Sequence, residues 1–377
     1  MKISAMFLPQ FHRDPLNSQW WGEGFTEWDN VRRARPLFDG HDQPREPLEG
    51  YFDLTDAGEL ASQARLARAF GISAFTFYDY WYEGQRILEK PLELFLADRS
   101  IDIAFSLCWA NHSWTRSWTN RTGALDVLIE QTYAQHENGR RLHFDHLARA
   151  FADPRYIRIE GKPLLQIYNA AAVPDGYLME MRAHIERTLG VGLHLDAFVT
   201  AWSSSWNFLS QFDSATLFQP SAALFSPLNL FGANGSTVTF ETRLRAAPIW
   251  IRRLIYLLMD RLPDKYNTYD FGQVWDDLCA QYVQSASSSN LPLNPMGFVD
   301  FDNTARYGRR AKIMKNNDVE IFREGLKRLI DAAKLTDNIG YLFVNAWNEW
   351  GEGAYLQPDV RTKFSRLEAI KEAGNRA

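Results

Sequence analysis

Eight short apolar runs spaced along the chain place the strongest constraint on its fold. Several are continuous, such as AMFLP, ISAFTFY, PLLQIY and YLFVNAW, as expected for strands of a parallel sheet covered on both faces. Amphipathic helical patterns lie between many of them, over Leu60–Phe70, Tyr177–Leu189 and Val319–Leu335. The eight runs are Ile3–Pro9, Ile72–Tyr80, Ile103–Trp109, Pro163–Tyr168, His194–Trp202, Ala215–Pro220, Pro295–Asp302 and Tyr341–Glu349.

Strands that alternate with helices form right-handed βαβ units, and eight of them in one chain favour a closed barrel. We therefore predict an α/β fold, a single (β/α)₈ TIM barrel in which residues 1–377 form one domain. A barrel of this kind takes roughly 200 to 400 residues. A doubly wound parallel sheet is the alternative. Two segments fit the alternation poorly, at about 17–51 and 221–294, and both are predicted to be long loop insertions.

Composition narrows the class of partner. The 41 Lys+Arg and 46 Asp+Glu give a net charge of −5, and no basic block is present, so nucleic acid is not expected as a partner. The chain holds 13 Trp, 15 Tyr and 25 Phe, many of them beside Asn, Asp, Glu and Gln. Aromatic faces next to polar groups suit a ligand with apolar C–H faces and a rim of hydroxyls. We therefore expect an oligo- or polysaccharide partner.

The sequence shows no targeting or membrane signal. It opens with MKISAMFLPQF, which enters a strand pattern at once and has no signal-peptide pattern. The most apolar later segment, Ile249–Met259, is interrupted by Arg252 and Arg253 and is too short to span a bilayer. We expect a cytoplasmic protein without an integral membrane segment, although a mature secreted chain that has lost its signal peptide would show the same pattern. Cys108 and Cys279 form no disulfide framework, and no zinc-ligand spacing occurs, so no metal or cofactor is expected.

Polar and aromatic residues collect where seven of the eight strands end. In a barrel, the carboxyl ends of the strands meet at one face, where active sites form. We predict that residues at these ends contact the substrate. They are Gln10 and His12 after the first strand, Tyr78, Asp79 and Trp81 after the second, Trp109 and Asn111 after the third, Tyr168 after the fourth, Trp202 after the fifth, Asp302 after the seventh, Asn348 and Trp350 after the eighth, and Trp28 in the first insertion.

The sharpest local signal is the sequence NEWGEG at 348–353. Glu349 and Glu352 stand three residues apart on a glycine-containing turn beyond an apolar strand, so both can face one cavity. Glycosidic cleavage needs such a pair, because one acid protonates the leaving oxygen while a second carboxylate acts as base or nucleophile. Two acids in a partly dry pocket also have their pKa values pushed apart. The alternative is a pair of surface acids at a helix N-terminus.

Two other functions compete with glycoside hydrolysis. Asp300 and Asp302 form a D-x-D pattern after an apolar strand, which many sugar-nucleotide transferases use to hold a divalent metal and a diphosphate, although no glycine-rich phosphate loop occurs near the N-terminus. A non-catalytic glycan-binding barrel would keep the aromatic residues but need not keep both glutamates. In a barrel, an aspartate of the D-x-D pattern is instead expected to hydrogen-bond a sugar hydroxyl or to brace a loop. Arg306, Arg309 and Arg310 are interpreted as the start of a solvated helix, and contact with an acidic sugar is the alternative.

Over nearly its whole length the chain resembles the WbsX-type proteins, a group related to family 99 of the glycoside hydrolases, the endo-α-mannosidases. Residues 221–294 show the least resemblance. The segments that carry it are FLPQFH (Phe7–His12), WWGEGFTEWDNV (Trp20–Val31), GHDQP (Gly40–Pro44), FYDYWYEGQRILEKPLE (Phe77–Glu93), LCWANHSWTRSW (Leu107–Trp118), LIEQTY (Leu128–Tyr133), FDNTAR (Phe301–Arg306) and NAWNEWGEGAYLQPD (Asn345–Asp359).

The resemblance implies a (β/α)₈ barrel that acts on a glycan without a cofactor. In family 99, the first glutamate of an E-W-x-E turn assists the sugar's own 2-hydroxyl in attacking the anomeric carbon, which gives a 1,2-anhydro sugar. The second glutamate is the general acid and then the base, with net retention. Carried over, Glu349 is the base and Glu352 the acid/base. Gly351 stands where the mannosidases usually carry His, so mannosidase specificity does not carry over.

We therefore predict a retaining, endo-acting glycoside hydrolase that uses Glu349 and Glu352. Its substrate is expected to be a surface-polysaccharide-type glycan, with manno- or rhamno-configured sugars favoured. A glycosyltransferase of polysaccharide biosynthesis that uses Asp300 and Asp302 is the first alternative. The glycan-binding barrel is the second.

Overall fold

A ring of parallel strands forms the centre of the computed structural model, which describes residues 1–82, 84–116, 127–133, 137–200, 207–225 and 267–374. Neighbours in chain order pair from the first strand to the seventh and from the eighth to the ninth, and the last strand pairs with the first. The strands are β1 (Lys2–Phe7), β2 (Ala74–Tyr82), β3 (Ala104–Trp109), β4 (Lys162–Ile167), β5 (His194–Val199), β6 (Ser214–Leu217), β7 (Leu293–Asn294), β8 (Met296–Phe298) and β9 (Tyr341–Asn345).

The seventh position of the ring is shared by two strand segments. β7 pairs with β6, and β8 pairs with β9, with Pro295 alone between the two segments. Proline has no N–H to give to a ladder, which accounts for the interruption. Because β7 and β8 together take one strand position, the ring has eight positions, and the predicted (β/α)₈ barrel is confirmed.

Helices connect these strands. The helices of the described residues are α1 (Pro15–Trp21), α2 (Glu27–Arg33), α3 (Glu59–Ala69), α4 (Lys90–Ala97), α5 (Glu137–Phe151), α6 (Asp175–Leu189), α7 (Ser221–Phe225), α8 (Phe271–Ser288), α9 (Thr304–Tyr307), α10 (Val319–Ala333) and α11 (Ser365–Gly374). The three helices predicted from periodicity match α3, α6 and α10 to within two residues at each end. None of them is long and apolar enough to cross a bilayer.

Shorter elements decorate the barrel. A parallel pair joins Asn267–Asp270 to Lys312–Lys315. The antiparallel pairs join Gln85–Ile87 to β2, Arg158–Ile159 to β4, Trp114–Thr115 to Val127–Ile129, and Asn348–Glu349 to Ala354–Tyr355. Turns of 3₁₀ helix lie at Ala170–Ala172, Asn207–Gln211, Gly308–Arg310 and Trp350–Glu352.

The alternation of side chains along the strands separates an apolar outer layer from a polar interior. Phe77 and Phe105 pack on Phe95 of α4, with ring centroids 5.0 and 5.1 Å apart. Thr76 is next to Phe77 in β2, and Ser106 is next to Phe105 in β3. Since alternate residues of a strand face opposite sides, Thr76 and Ser106 face inward, where their hydroxyl oxygens lie 2.9 Å apart. The hydroxyls of Ser4, Thr76 and Ser106 contact one another in sequence and are fully buried, so the barrel interior is packed at this level.

The two predicted insertions differ in how much of them the structure describes. The first, at about 17–51, contains α1 and α2 and is tied down where the Leu48 amide donates to the Pro358 carbonyl at 2.9 Å. In the second, at about 221–294, residues 226–266 lie outside the described part of the chain. Its last third is α8, whose buried Trp275 stacks on Phe298 of β8. The insertion boundaries and the one-domain assignment stay predictions.

Candidate active site

A cavity of about 380 Å³ opens at the carboxyl-terminal face of the barrel. It lies over the ends of β1, β2, β3, β4 and β9, where the barrel geometry brings the following loops together. Its lining mixes tyrosines, small polar groups and three charged side chains. The lining residues are Leu8, Gln10, Tyr78, Tyr80, Ala110, His112, Ser113, Trp114, Thr115, Tyr168, Phe218, Arg306, Tyr307, Asn345, Glu349 and Glu352.

The turn that carries the two glutamates is fixed from both sides. β9 ends at Asn345, and the chain then forms the Asn348–Glu349 strand, the 3₁₀ turn Trp350–Glu352 and a return strand. The side chain of Asn348 accepts from the Leu8 amide at 2.7 Å and donates to the Leu8 carbonyl at 2.9 Å. These two bonds tie the turn to the end of β1, so both glutamates are presented to the cavity from a rigid base.

Arg306 holds both glutamates. Its Nη2 lies 2.6 Å from Oε1 of Glu349, and its Nη1 lies 2.7 Å from Oε1 of Glu352. Its Nε donates to Oε1 of a third glutamate, Glu27, at 2.9 Å. The Arg306 side chain is 7% exposed. The interpretation of this arginine as part of a solvated helix start is therefore wrong, because α9 turns its side chain inward to the turn that carries Glu349 and Glu352.

Gly351 permits this arrangement. A Cβ at this position would lie 2.1 Å from Oε1 of Glu27 and 2.8 Å from Nε of Arg306, too close for any side chain. The carboxylate of Glu27 occupies the space beside the turn that a side chain would fill. Glu27 is the first residue of α2 and its side chain is fully buried.

Burial and crowding change how Glu349 titrates. Burial raises the pKa of Glu349 to about 8, opposed by the nearby Arg306 charge and reinforced by the carboxylates of Glu352 and Glu27. Burial also raises the pKa of Glu27 against the attraction of Arg306. One guanidinium serves three carboxylates, so the cluster retains a proton more readily than isolated glutamates do. The side chain of Glu352, at 27% exposed, is the most accessible to a ligand of the three.

Tyrosine hydroxyls line the walls of the cavity. Burial raises the pKa values of Tyr78, Tyr80 and Tyr168 far above neutrality, so their hydroxyls stay protonated and can donate to a ligand. Gln10 and Tyr80 are hydrogen-bonded to each other. The structure thus brings five of the predicted site residues, Gln10, Tyr78, Tyr168, Glu349 and Glu352, to one cavity.

Four predicted tryptophans lie in the packed core rather than at the cavity. Trp28 donates to the Phe52 carbonyl and packs on Phe11 and Trp350, and Trp350 stacks on Tyr355 at 3.6 Å. Trp81 stacks on His143 and His146 behind β2. Trp109 stacks on Tyr177 of α6. All four are nearly inaccessible to solvent, and they buttress the strand ends instead of offering faces to a sugar.

Four polar residues of the predicted set brace loops. His12 contacts the Pro9 carbonyl at 2.7 Å, and Asn348 forms the clip to Leu8 described above. Asn111 donates to the Asn169 carbonyl at 3.0 Å and accepts from its amide at 2.7 Å. Asp79 pairs with His146 at 3.1 Å. Although burial acts to raise it, this histidine lowers the pKa of Asp79 to about 2.

The D-x-D pair is enclosed by donors from the protein itself. Asp300 lies 2.8 Å from Nη1 of Arg45 and also accepts from Asn317 and Arg366. Asp302 accepts from Gln43 at 2.7 Å and contacts His41 at 2.8 Å. Both aspartates are almost wholly inaccessible, and neither lines the cavity. No group of three or more potential metal ligands occurs among the described residues.

Several cavity residues escaped the prediction. Tyr80 and Phe218 lie inside the predicted strands Ile72–Tyr80 and Ala215–Pro220, and His112 and Trp114 follow the third strand beside residues that were chosen. Arg306 was noticed but assigned to solvent, and Glu27 stands 322 positions before Glu349, so no local spacing could have joined them. The predicted Trp202 lies outside the described residues.

Comparison with known proteins identifies the family. The family model described as Glycosyltransferase WbsX matches residues 3–370. The chain belongs to the WbsX family. It is 34% identical over 380 residues to the uncharacterized protein WxcX of Xanthomonas campestris pv. campestris strain B100, and a second strain has a similar relative. The alignment covers 100% of this chain and 50% of each WxcX protein, so the chain spans about half the length of these relatives.

Solved structures show the same fold. A glycoside hydrolase-like protein superposes with a TM-score of 0.61 at 12% identity, covering 99% of this chain and 93% of its own. The family 99 endo-α-mannosidase of Bacteroides thetaiotaomicron, in complex with Bis-Tris propane, gives a TM-score of 0.59 at 12% identity, covering 100% and 96%. At this identity the likeness concerns the barrel fold alone.

Proposed function

We propose that this WbsX-family chain is a retaining glycoside hydrolase that uses Glu349 and Glu352 on a glycan bound in the 380 Å³ cavity. The observation that carries the proposal is the common contact of both carboxylates with Arg306, at 2.6 and 2.7 Å, at the carboxyl-terminal face of a barrel. A shared guanidinium keeps two carboxyl groups close together. Close carboxyl groups are typical of retaining rather than inverting glycosidases.

In the first step, Glu349 takes the proton of the sugar's 2-hydroxyl while that oxygen bonds to the anomeric carbon. The bond from the anomeric carbon to the leaving oxygen breaks, and Glu352 protonates that oxygen, which leaves a 1,2-anhydro sugar. In the second step, Glu352 takes a proton from water, whose oxygen bonds to the anomeric carbon. The strained ring opens, and O2 regains its proton from Glu349. Two inversions at the anomeric carbon give net retention.

The electrostatics of the cluster suit these roles. A general base works best when its pKa lies near the working pH, and Glu349 has a pKa raised to about 8 by burial and by its carboxylate neighbours. Glu352 is the more exposed of the two, which fits a group that meets first the leaving oxygen and then water. Neutral tyrosine hydroxyls on the walls would hold the sugar hydroxyls.

The substrate we propose is a surface-polysaccharide-type glycan with manno- or rhamno-configured sugars, cleaved internally. Resemblance to the WbsX-type group supports the surface-polysaccharide class, and the endo-α-mannosidase of the same fold supports the sugar configuration and the endo action. Gly351 argues against transfer of the mannosidase specificity itself.

A glycosyltransferase is the second candidate, because the matching family model carries that description. It would have to work without Asp300 and Asp302 as open metal ligands, since both accept hydrogen bonds from arginine, amide or hydroxyl groups. The test therefore has to separate hydrolysis from transfer.

The experiment is hydrolysis of a panel of oligosaccharides and aryl glycosides, manno- and rhamno-configured first, with EDTA present. Glu352→Gln and Glu349→Gln should each lower kcat by about 100- to 10,000-fold while the protein stays folded. Normal turnover in both variants would overturn the assignment of these residues. Binding of a glycan without cleavage would favour the glycan-binding barrel, and tight binding of a sugar nucleotide with Mn²⁺ would favour the transferase.

A further inference from the structure

We propose that Glu27 is a positioning residue of the catalytic site. It holds the Nε edge of Arg306 and so aims the two Nη groups at Glu349 and Glu352. In this role the buried carboxylate substitutes for a side chain at position 351, which is glycine here. The inference deepens the hydrolase proposed above and rests on it for its kinetic part.

The contacts of Arg306 give the first step of the argument. Its three nitrogens meet three different carboxylates, at 2.9 Å for Glu27, 2.6 Å for Glu349 and 2.7 Å for Glu352. A guanidinium is planar, so fixing its Nε edge and one Nη fixes the direction of the other Nη. Without Glu27, the arginine could rotate about its side-chain torsions and pair with either catalytic glutamate alone.

The second step is that Glu27 itself cannot move far. The Glu27 side chain is fully buried. Its Oε1 lies so close to the backbone of Gly351 that a Cβ added there would be 2.1 Å away. α2 begins at Glu27 behind a capping box formed by Thr26 and Asp29. The next residue, Trp28, packs on Trp350 of the catalytic turn with ring centroids 5.5 Å apart. Helix start and turn are therefore held in register.

The third step concerns charge. The groups that face Glu349 are Arg306, Glu352 and Glu27, together with the tyrosine hydroxyls of β2 and of the segment after β4. Among these, Glu27 is a like charge that disfavours ionisation of Glu349. Removing that charge should let Glu349 ionise at lower pH, in addition to loosening the arginine. A residue with a merely structural role would not produce that shift.

Glu27→Gln tests the inference because it is isosteric and keeps an oxygen acceptor for Arg306 while it removes the charge. Glu27→Asp keeps the charge but shortens the side chain by one methylene. Glu23→Gln is the matched control, because Glu23 is exposed and lies four residues before Glu27, in the loop that precedes α2. The readouts are kcat and KM on the cleaved glycan, and a ¹³C-carboxyl NMR titration of Glu349, assigned by the loss of its signal in Glu349→Gln.

We expect Glu27→Gln to lower the titration midpoint of Glu349 by about one pH unit. We also expect kcat to fall about 10- to 100-fold, with KM within a factor of about two. Glu27→Asp should leave the midpoint nearer to wild type while still lowering kcat. Glu23→Gln should match wild type in both readouts.

A wild-type midpoint and a wild-type kcat in Glu27→Gln would overturn the inference. The titration needs no substrate, so it separates this failure from failure of the hydrolase. If no glycan is cleaved but the midpoint still shifts, Glu27 controls the carboxylate pair and the proposed reaction is wrong. If Glu27→Gln does not fold, Glu27→Asp decides: unchanged kcat there would overturn the geometric part.

Discussion

At the scale of single residues, position 351 determines which groups can approach the turn that carries Glu349 and Glu352. The missing side chain lets Glu27 come within reach of Arg306 between the two glutamates. Glycine is needed here for space rather than for an unusual backbone angle, since φ at Gly351 is not positive. The resemblance to the family 99 mannosidases implies a His at position 351. In this chain the carboxylate of Glu27 lies where a side chain at that position would be.

Gly351→Ala should therefore destabilise the protein and lower its activity. The new Cβ would lie 2.1 Å from Oε1 of the buried Glu27, so one group must shift. Overpacking of this kind costs about 1 to 3 kcal/mol, and displacement of Arg306 should lower kcat by more than about 10-fold. Urea unfolding and steady-state kinetics measure the two effects.

Gly176→Ala is the matched control for this change. A Cβ there, in the first turn of α6, meets nothing within 4 Å, and alanine is the better helix former, so neutral or slightly increased stability is expected. Gly351→Ala with wild-type stability and kcat would mean that Glu27 has another place to go and that the tight approach is not needed.

The sequence led to the two glutamates proposed to be catalytic but not to the residues that hold them. Glu349 and Glu352 are visible because their spacing, a glycine turn and the end of an apolar strand occur together. Arg306 stands on a short basic segment, and whether such a segment faces solvent or a cavity depends on loop packing that no local pattern records. Glu27 could not be found at all, since its role comes from contacts between segments far apart in the chain.

At the scale of elements, the pair of hydrogen bonds between Asn348 and Leu8 ties the turn of Glu349 and Glu352 to the end of β1. Asn348→Ala removes both hydrogen bonds to Leu8 and leaves a buried amide and a buried carbonyl without a partner. The expected loss is about 2 to 4 kcal/mol of unfolding free energy. Because the turn loosens, kcat should fall more than KM changes.

Asn348→Asp refines this test. Its carboxylate can still accept from the Leu8 amide but places a buried charge against the Leu8 carbonyl, so it should lose at least as much stability as the alanine variant. Chemical unfolding and kinetics of both variants give the answer. A wild-type kcat in Asn348→Ala would show that the turn holds its geometry without the clip.

The segment that contains His41, Gln43 and Arg45 is likewise held to the end of β8 by Asp300 and Asp302. Asp302→Asn should cost about 2 to 4 kcal/mol, since the amide cannot accept from every donor that the carboxylate serves. The loss should be the same with Mn²⁺ or EDTA in unfolding experiments. Wild-type stability together with lost Mn²⁺-dependent binding of a sugar nucleotide would instead support the transferase.

Strand and helix patterns predicted the elements well because periodicity reports which faces are buried. The tryptophans show where that information stops. Trp109 and Trp81 stand at strand ends, where a sugar could stack, yet the helices packed outside the barrel cover them. A strand presents alternate residues to opposite sides. At a strand end rich in tryptophan, the sequence does not tell which residues face the cavity and which face a helix.

At the scale of the whole molecule, the buried carboxylates make stability depend on pH in two opposite ways. The pKa values of Asp79 and Asp302 are lowered to about 2 by their partners despite burial, so each contributes stability above its ordinary pKa near 4. That contribution is lost as the pH falls toward 2. The loss defines the acid side of the stability curve.

Glu349 acts in the opposite direction. Its folded-state pKa of about 8 exceeds the ordinary value of 4.5, so between these values the folded state binds more protons than the unfolded one. The contribution of Glu349 to stability is therefore fully present below about pH 4.5 and is lost as the pH rises through 8. Glu27, whose pKa is also raised by burial, adds to this trend. The protein should be most stable near pH 4 to 6.

Glu349→Gln should remove part of the alkaline loss. The amide keeps an acceptor for Arg306 and does not ionise, so relative to wild type this variant should gain about 1 to 3 kcal/mol between pH 5.5 and pH 8.5. Urea unfolding at a series of pH values measures the difference, with the exposed Glu23→Gln as control. Parallel curves for Glu349→Gln and wild type would mean that Glu349 ionises normally in the folded protein. A gain would show that the residue proposed to be the base is kept at a cost in stability, as expected for crowded catalytic carboxylates.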